Sequence, residues 1–115
     1  YISDRAEYVF VEGVGGWMAP INDQQTMADV AAALNLPIIL VVGMKLGCLN
    51  HALLTVSQIE LQGLTLAGWI ANQIDPDMFY QTENLEYLTA ALCAPLLGTI
   101  PYSSDPSALT RKITF

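Results

Sequence analysis

Four short apolar runs alternate with stretches of helical spacing along the chain, and that alternation governs everything else in it. Tyr8-Val9-Phe10-Val11 ends in Glu12 and then three glycines in four residues, Gly13, Gly15 and Gly16. A run of Tyr, Val and Phe too short for a good helix and stopped by Gly predicts a buried strand over residues 8–12. A loop over residues 17–23 follows, and then residues 26–34, rich in helix formers. Met27, Val30, Ala31 and Leu34 share one side of that helix, and Asn35 marks its stop. Residues 37–43 form a second β-branched run, with Pro37 tolerated at the first position of a strand.

A long apolar helix comes next, with Ala52, Val56, Ile59 and Leu61 packing it and Gly63 ending it. Residues 65–71 predict a third strand, which stops in the turn-forming Asn72-Gln73-Ile74-Asp75-Pro76. Residues 78–93 carry Leu85, Leu88, Ala91 and Leu92 at helical spacing, and Pro95 breaks the pattern. Residues 96–100 make a fourth short strand that runs into Pro101-Tyr102-Ser103, with a last short helix beyond. The expected order is βαβαβαβ, an α/β fold with a mostly parallel, doubly wound sheet and right-handed crossovers. All four strand exits then face one rim, which gathers Glu12, the segment from Lys45 to Asn50, Asn72 and residues 101–103.

Composition narrows the picture. At 115 residues the chain is one domain's worth, yet 53% of it is hydrophobic and only 13% charged, about half the ~25% charged usual for a soluble domain. A sheet buried on both faces, a large subunit interface or a missing piece of the same domain would absorb that excess. The N-terminus, Tyr1-Ile2-Ser3-Asp4, lacks an initiator Met and leads straight into a core strand, as expected of a fragment. A net charge of −7 with Arg5, Lys45, Arg111 and Lys112 scattered argues against nucleic acid. Residues 37–43 are too short to cross a membrane, so neither membrane nor nucleic acid is an expected partner. Cys48 and Cys93 have no metal-ligand spacing and fit two free thiols in a reducing cytoplasm.

The rim has chemistry of its own. A carboxylate beside flexible glycine backbone at a strand exit suits a metal ion and phosphates, and Glu12 has that setting; the plainer alternative is a strand-end acid facing water. Leu46-Gly47-Cys48-Leu49-Asn50 stands at a strand-to-helix switch, where unpaired N–H groups and the positive end of the helix dipole favour an anion. Asn50 could add a side-chain donor there or be an ordinary first-turn polar residue. Cys48 has no visible base partner, and His51 reads as a hydrogen-bonded surface or interface histidine. The Asn72 amide could read a nucleobase edge through one donor and one acceptor, or be a plain turn residue. Met18 spoils a Gly-x-Gly-x-x-Gly fingerprint, and Gly-x-x-x-x-Gly-Lys-Ser/Thr occurs nowhere.

Four blocks together resemble the dethiobiotin synthetase family: residues 11–17, residues 40–52, residues 63–72 and residues 94–101, in that family's order and spacing. The block over residues 40–52 is the most specific. The resemblance covers nearly the whole chain, as the C-terminal part of a single P-loop NTPase-like domain of three α/β/α layers. It implies a homodimeric, ATP-dependent cyclo-ligase of biotin biosynthesis. That enzyme carboxylates diaminopelargonic acid with CO2, phosphorylates the carbamate from ATP with magnesium, and lets the second amine close the ureido ring. By position, Glu12 would be the magnesium ligand and, with Gly13, Val14 and Gly15, would border the phosphates. Asn72, Gln73, Pro101, Tyr102 and Ser103 would hold the base. Leu46, Gly47, Cys48 and Asn50 would hold the substrate carboxylate across the dimer interface.

Two positions depart from the family pattern: Gln73 stands where better-known members have Asp, and Tyr102 where some have Trp. The family's P-loop, catalytic lysine and a further metal-binding acid belong to the half not in this sequence, so the implied catalytic residues are none of these 115, and this chain alone is expected to be inactive. The competing classes are a regulatory or partition-type P-loop ATPase and a noncatalytic nucleotide-binding module.

Overall fold

A purely parallel ladder joins three strands, β1 (Ile38–Met44), β2 (Leu66–Gln73) and β3 (Leu96–Ile100), in the spatial order β1-β2-β3. Helices α1 (Met27–Leu34), α2 (Cys48–Leu61) and α3 (Gln81–Ala91) alternate with them. The structure, a computed structural model, describes residues 5–105, which divide into two units between Leu34 and Asn35. The last short helix expected beyond residue 105 lies outside the described residues.

The second unit is a parallel α/β layer pair. Consecutive parallel strands need right-handed crossovers, and two crossovers stepping the same way along the sheet put both helices on one face. The core confirms it: Val42 and Met44 of β1, Trp69 and Ala71 of β2, Cys48, Ala52 and Val56 of α2, and Leu88 of α3 form one buried cluster. The steps 48, 52, 56 and 59 keep one side of α2 buried, while Leu61, expected in the core, is exposed because it falls off that stripe. On α3, Leu88 is buried and Ala91 exposed.

Gly63 ends α2 as expected, in the left-handed region at φ 71°. Its N–H donates to the carbonyl of Glu60 at 2.9 Å and that of Leu64 to the carbonyl of Ile59 at 3.1 Å, the paired bonds of a Schellman motif. Asn35, at φ 49°, ends α1 in the same conformation.

Three boundaries differ from expectation. Residues 8–12 take no strand place among the described residues; Tyr8 is 73% and Phe10 67% exposed. An apolar run becomes a strand only where a neighbouring strand completes its ladder. Asn72 and Gln73 belong to β2 rather than to a loop, because β1 continues to Met44 and pairs Gly43 with Asn72 and Met44 with Gln73. Helix α3 begins at Gln81 instead of residue 78. An Asp75 carboxylate accepting the Asp77 N–H at 3.0 Å and a left-handed Tyr80 hold the preceding residues in a turn.

Trp69 is fully buried on the helix face, and its indole N–H has no acceptor among the described residues. Trp69→Ala is expected to destabilise the chain by ~3–5 kcal/mol through the cavity it leaves. Trp69→Phe should cost less than half as much, since it also removes an orphaned donor that costs ~1–3 kcal/mol to bury. Urea unfolding of the two variants checks the ratio.

Candidate functional site

Parallel strands deliver their carboxyl ends to one side, and the register shows which residues arrive together. Gly43 of β1 pairs with Asn72 of β2, and Asn72 with Ile100 of β3. At roughly 4.8 Å between neighbouring strands, that row spans about 10 Å. Immediately past it come the segment from Lys45 to Gly47, Gln73, and residues 101–103. Asn72, Gln73, Pro101 and Ser103 are half-buried and Tyr102 is exposed. Ser103 is tied back by its hydroxyl, which donates to the Asp105 carbonyl at 2.9 Å.

The turn from β1 into α2 is open at its backbone. Gly47, the residue before α2, sits at φ 91°, where an L side chain is strained, and no side chain caps the helix. The Cys48 N–H donates to the Lys45 carbonyl at 3.0 Å, and that of His51 to the Gly47 carbonyl at 3.2 Å. Between them, the N–H groups of Leu49 and Asn50 have no backbone acceptor among the described residues. The expectation of an anion site therefore narrows from the whole segment to those two donors, with the Asn50 side chain exposed beside them.

Leu46, Gly47 and Cys48 also line a cleft of about 140 Å³ between β1 and the first turns of α2. Asn50 is not part of its wall. Lys45, His51 and Thr55 are, and residue type at a strand-to-helix switch did not single them out as lining residues. Asn84 was missed as well. Its side-chain N–H donates to the Tyr80 carbonyl at 2.7 Å, and its oxygen lies 4.0 Å from the buried Cys48 sulfur. Only the packing of α3 beside α2 brings it there, and one sequence holds no signal of that.

Glu12, Gly13, Val14 and Gly15 belong to the first unit. Glu12 and Val14 are exposed, and Gly15 and Gly16 both have positive φ, 90° and 96°. A Cβ at Gly13 would collide with the terminal methyl of Met27. A side chain at position 13 would have to displace that flexible methyl, whereas glycine at 15 and 16 is favoured by their positive φ. The chain then turns through a tight loop in which the Asn22 side-chain oxygen accepts the N–H groups of Gln24 and Gln25, both at 2.9 Å. Thr26 starts α1. Its N–H and hydroxyl both donate to the Asp29 carboxylate, at 2.7 and 3.0 Å, and the Asp29 N–H donates back to the Thr26 carbonyl at 3.1 Å.

A metal would find one carboxylate here, Glu12 beside glycine backbone. Among the described residues no three His, Cys, Asp or Glu side chains cluster to hold an ion by themselves. That donor set fits magnesium, which keeps its waters and is commonly bound by one or two carboxylates plus substrate phosphates.

Parallel strands ending on one rim with alternating helices define an open-sheet α/β protein, and the comparison with known families agrees. Residues 1–110 match the AAA domain model, and the chain belongs to that family. It is similar to the ATP-dependent dethiobiotin synthetase BioD of Aromatoleum aromaticum, 53% identical over 111 residues, 95% of this chain and 49% of that protein. The proteins of the same name from Cellvibrio japonicus and Yersinia pestis are 50% and 52% identical over 104 residues, 90% of this chain and 46% and 43% of theirs. The chain spans about half the length of the curated relatives it matches.

The Thr26 donors hold the Asp29 carboxyl below its ordinary value of 3.8. A depressed carboxylate contributes stability that is present above the unfolded value and lost as pH falls through the folded one. A carboxyl-carbon NMR titration should place the Asp29 midpoint below 3.8, held there first by the Thr26 backbone N–H and then by its hydroxyl. Thr26→Ala removes the hydroxyl and keeps the backbone donor, so it should raise the midpoint only part of the way, and an unchanged midpoint would disprove the hydroxyl's share.

Proposed function

We propose that this chain is the part of an ATP-dependent dethiobiotin synthetase that reads the nucleotide base, supplies one magnesium ligand and holds the carboxylate end of diaminopelargonic acid. The observation that carries this reading is the parallel register. It sets the amides of Asn72 and Gln73 at one end of one sheet, with the donors of Leu49 and Asn50 and residues 101–103 following the strands that end there. Half-identity to three dethiobiotin synthetases supports the same assignment.

In the proposed reaction one amine of the substrate adds CO2 to give a carbamate. The carbamate oxygen takes the γ-phosphoryl group of ATP, releasing ADP, and the second amine attacks the carbamoyl carbon, expelling phosphate and closing the ureido ring. This chain's share is positioning. Asn72 and Gln73 offer a donor and an acceptor each to the base, with Pro101, Tyr102 and Ser103 as the remaining wall. The open N–H groups at the start of α2 and the Asn50 amide take the substrate carboxylate, with Leu46, Gly47 and Cys48 shaping the turn. Gly13, Val14 and Gly15 border the phosphates. Glu12 would hold magnesium, which when bound supplies charge neutralisation for the transferring phosphoryl group.

Phosphoryl transfer rests on positioning and charge stabilisation by a phosphate loop and lysine, and no Gly-x-x-x-x-Gly-Lys-Ser/Thr occurs among these 115 residues. Further parts of the reading are a homodimer in which the turn at Gly47 serves the partner's substrate, and a cytoplasmic location. The two cysteines are free, Cys48 buried and Cys93 exposed, as suits a reducing compartment. No helix among the described residues is long and apolar enough to cross a membrane.

Residues 1–115 alone should produce no dethiobiotin from diaminopelargonic acid, bicarbonate, ATP and magnesium, and turnover by them would refute the division of labour. In a complete enzyme carrying this chain, Glu12→Gln should impair the phosphoryl step and weaken its magnesium dependence, because a neutral amide is a poorer ligand for a hard cation. Asn50→Ala should raise the dissociation constant for diaminopelargonic acid roughly tenfold to a hundredfold, from ~1.5–3 kcal/mol for one hydrogen bond to a charged group. ATP binding should be spared. Calorimetric titration of each ligand reads the split, and equal loss for both would send Asn50 back to a structural role.

A further inference from the structure

Gly43 lies within β1 and is not one of the glycines with positive φ, so backbone conformation does not call for it. Room does. A Cβ at Gly43 would stand 2.8 Å from the Ile74 Cδ1 and 3.6 Å from its Cγ1. The Ile74 side chain, from just past the end of β2, thus folds back over the bare Gly43 backbone. Glycine inside a strand commonly marks such a close approach.

Alternation of side chains along a strand says which face of the sheet this is. Val42 and Met44 of β1 and Trp69 and Ala71 of β2 belong to the helix-covered core. Gly43, with Asn72 and Ile100 following it across the register, therefore turns to the other face. On that face the Asn72 amide stands between two aliphatic side chains, Ile74 laid over Gly43 on one flank and Ile100 on the other. Ile70, two residues earlier on the same face, is buried, whereas Ile74 is 44% exposed and Asn72 and Ile100 are half-buried. The Asn72 side chain makes no hydrogen bond among the described residues.

An unpaired amide with an aliphatic group on each flank suits a flat heteroaromatic ring. The amide meets the ring's edge with one donor and one acceptor, and the aliphatic groups cover its two faces. A carboxylate or a phosphate would gain nothing from Ile74 or Ile100. We propose that Ile74 and Ile100 grip the faces of the nucleobase whose edge Asn72 reads, and that position 43 is glycine so that Ile74 can take its place. This rests on the assignment of Asn72 to the base made above, and it adds two specificity-determining residues and the reason for a third.

Calorimetric binding to a complete enzyme carrying this chain tests it, comparing ADP with inorganic tripolyphosphate, which has phosphates and no base, each with magnesium. Ile74→Ala should raise the ADP Kd about tenfold and leave the tripolyphosphate Kd unchanged. Gly43→Ala, whose added methyl drives the Ile74 side chain from its seat, should also weaken ADP. It should add nothing in the Ile74→Ala background, where that methyl meets no Cδ1 or Cγ1. Unchanged ADP binding in Ile74→Ala, or equal loss of both ligands, overturns the proposal. So does a Gly43→Ala effect of the same size in both backgrounds. Asn72→Ala separates this inference from the reading beneath it: if it weakens ADP and Ile74→Ala does not, the grip alone fails, and if neither weakens ADP, both fail.

Discussion

The row of candidate binding residues in the second unit depends on the strands running the same way. Parallel pairing forces each connection to cross the sheet and return, so every strand ends on the same side as its neighbour. Gly43, Asn72 and Ile100 are 28 or 29 residues apart along the chain yet stand in one row. An antiparallel arrangement of the same strands would send Asn72 to the opposite end of the sheet from Gly43. The backbone ladder thus decides which residues meet, and the buried cluster around Trp69, Met44 and Leu88 holds the helices that keep it parallel.

Within that frame the glycine at position 47 has a double effect. Its positive φ turns the chain from β1 into α2 without a capping side chain, so the donors of Leu49 and Asn50 stay unspent. Serine or aspartate at such a position usually satisfies those donors internally and stabilises the helix by about 1 kcal/mol. Here the helix forgoes that stabilisation and keeps an electropositive opening. The start of α1 shows the opposite choice: Thr26 and Asp29 satisfy one another, and the Met27 and Ala28 N–H groups donate to the Ala19 and Trp17 carbonyls.

Strands β1 and β3 and all three helices were legible because hydrophobic spacing and stop residues act locally. Asn35 and Gly63 end their helices where their sequence positions indicate. The parallel rim followed from alternation alone. What was not legible depends on neighbours. Residues 8–12 have strand composition but take no place in the ladder, since composition cannot supply a partner. Asn72 and Gln73 read as a turn, yet β1 runs far enough to hold them in the sheet. Asn84 reaches Cys48 across 36 residues through helix packing, which no periodicity encodes. Resemblance to dethiobiotin synthetases contributed the roles, whereas spacing contributed only the places.

The central claim is that one sheet end gathers two separate binding functions. Amide chemical-shift mapping of a complete enzyme carrying this chain, first with ADP and magnesium and then with diaminopelargonic acid, tests it most directly. The account predicts that the nucleotide shifts Asn72, Gln73, Tyr102 and Ser103, and that the acid shifts Gly47, Leu49 and Asn50. Shifts concentrated instead at the opposite strand ends, around Ile38, Leu66 and Leu96, would contradict it.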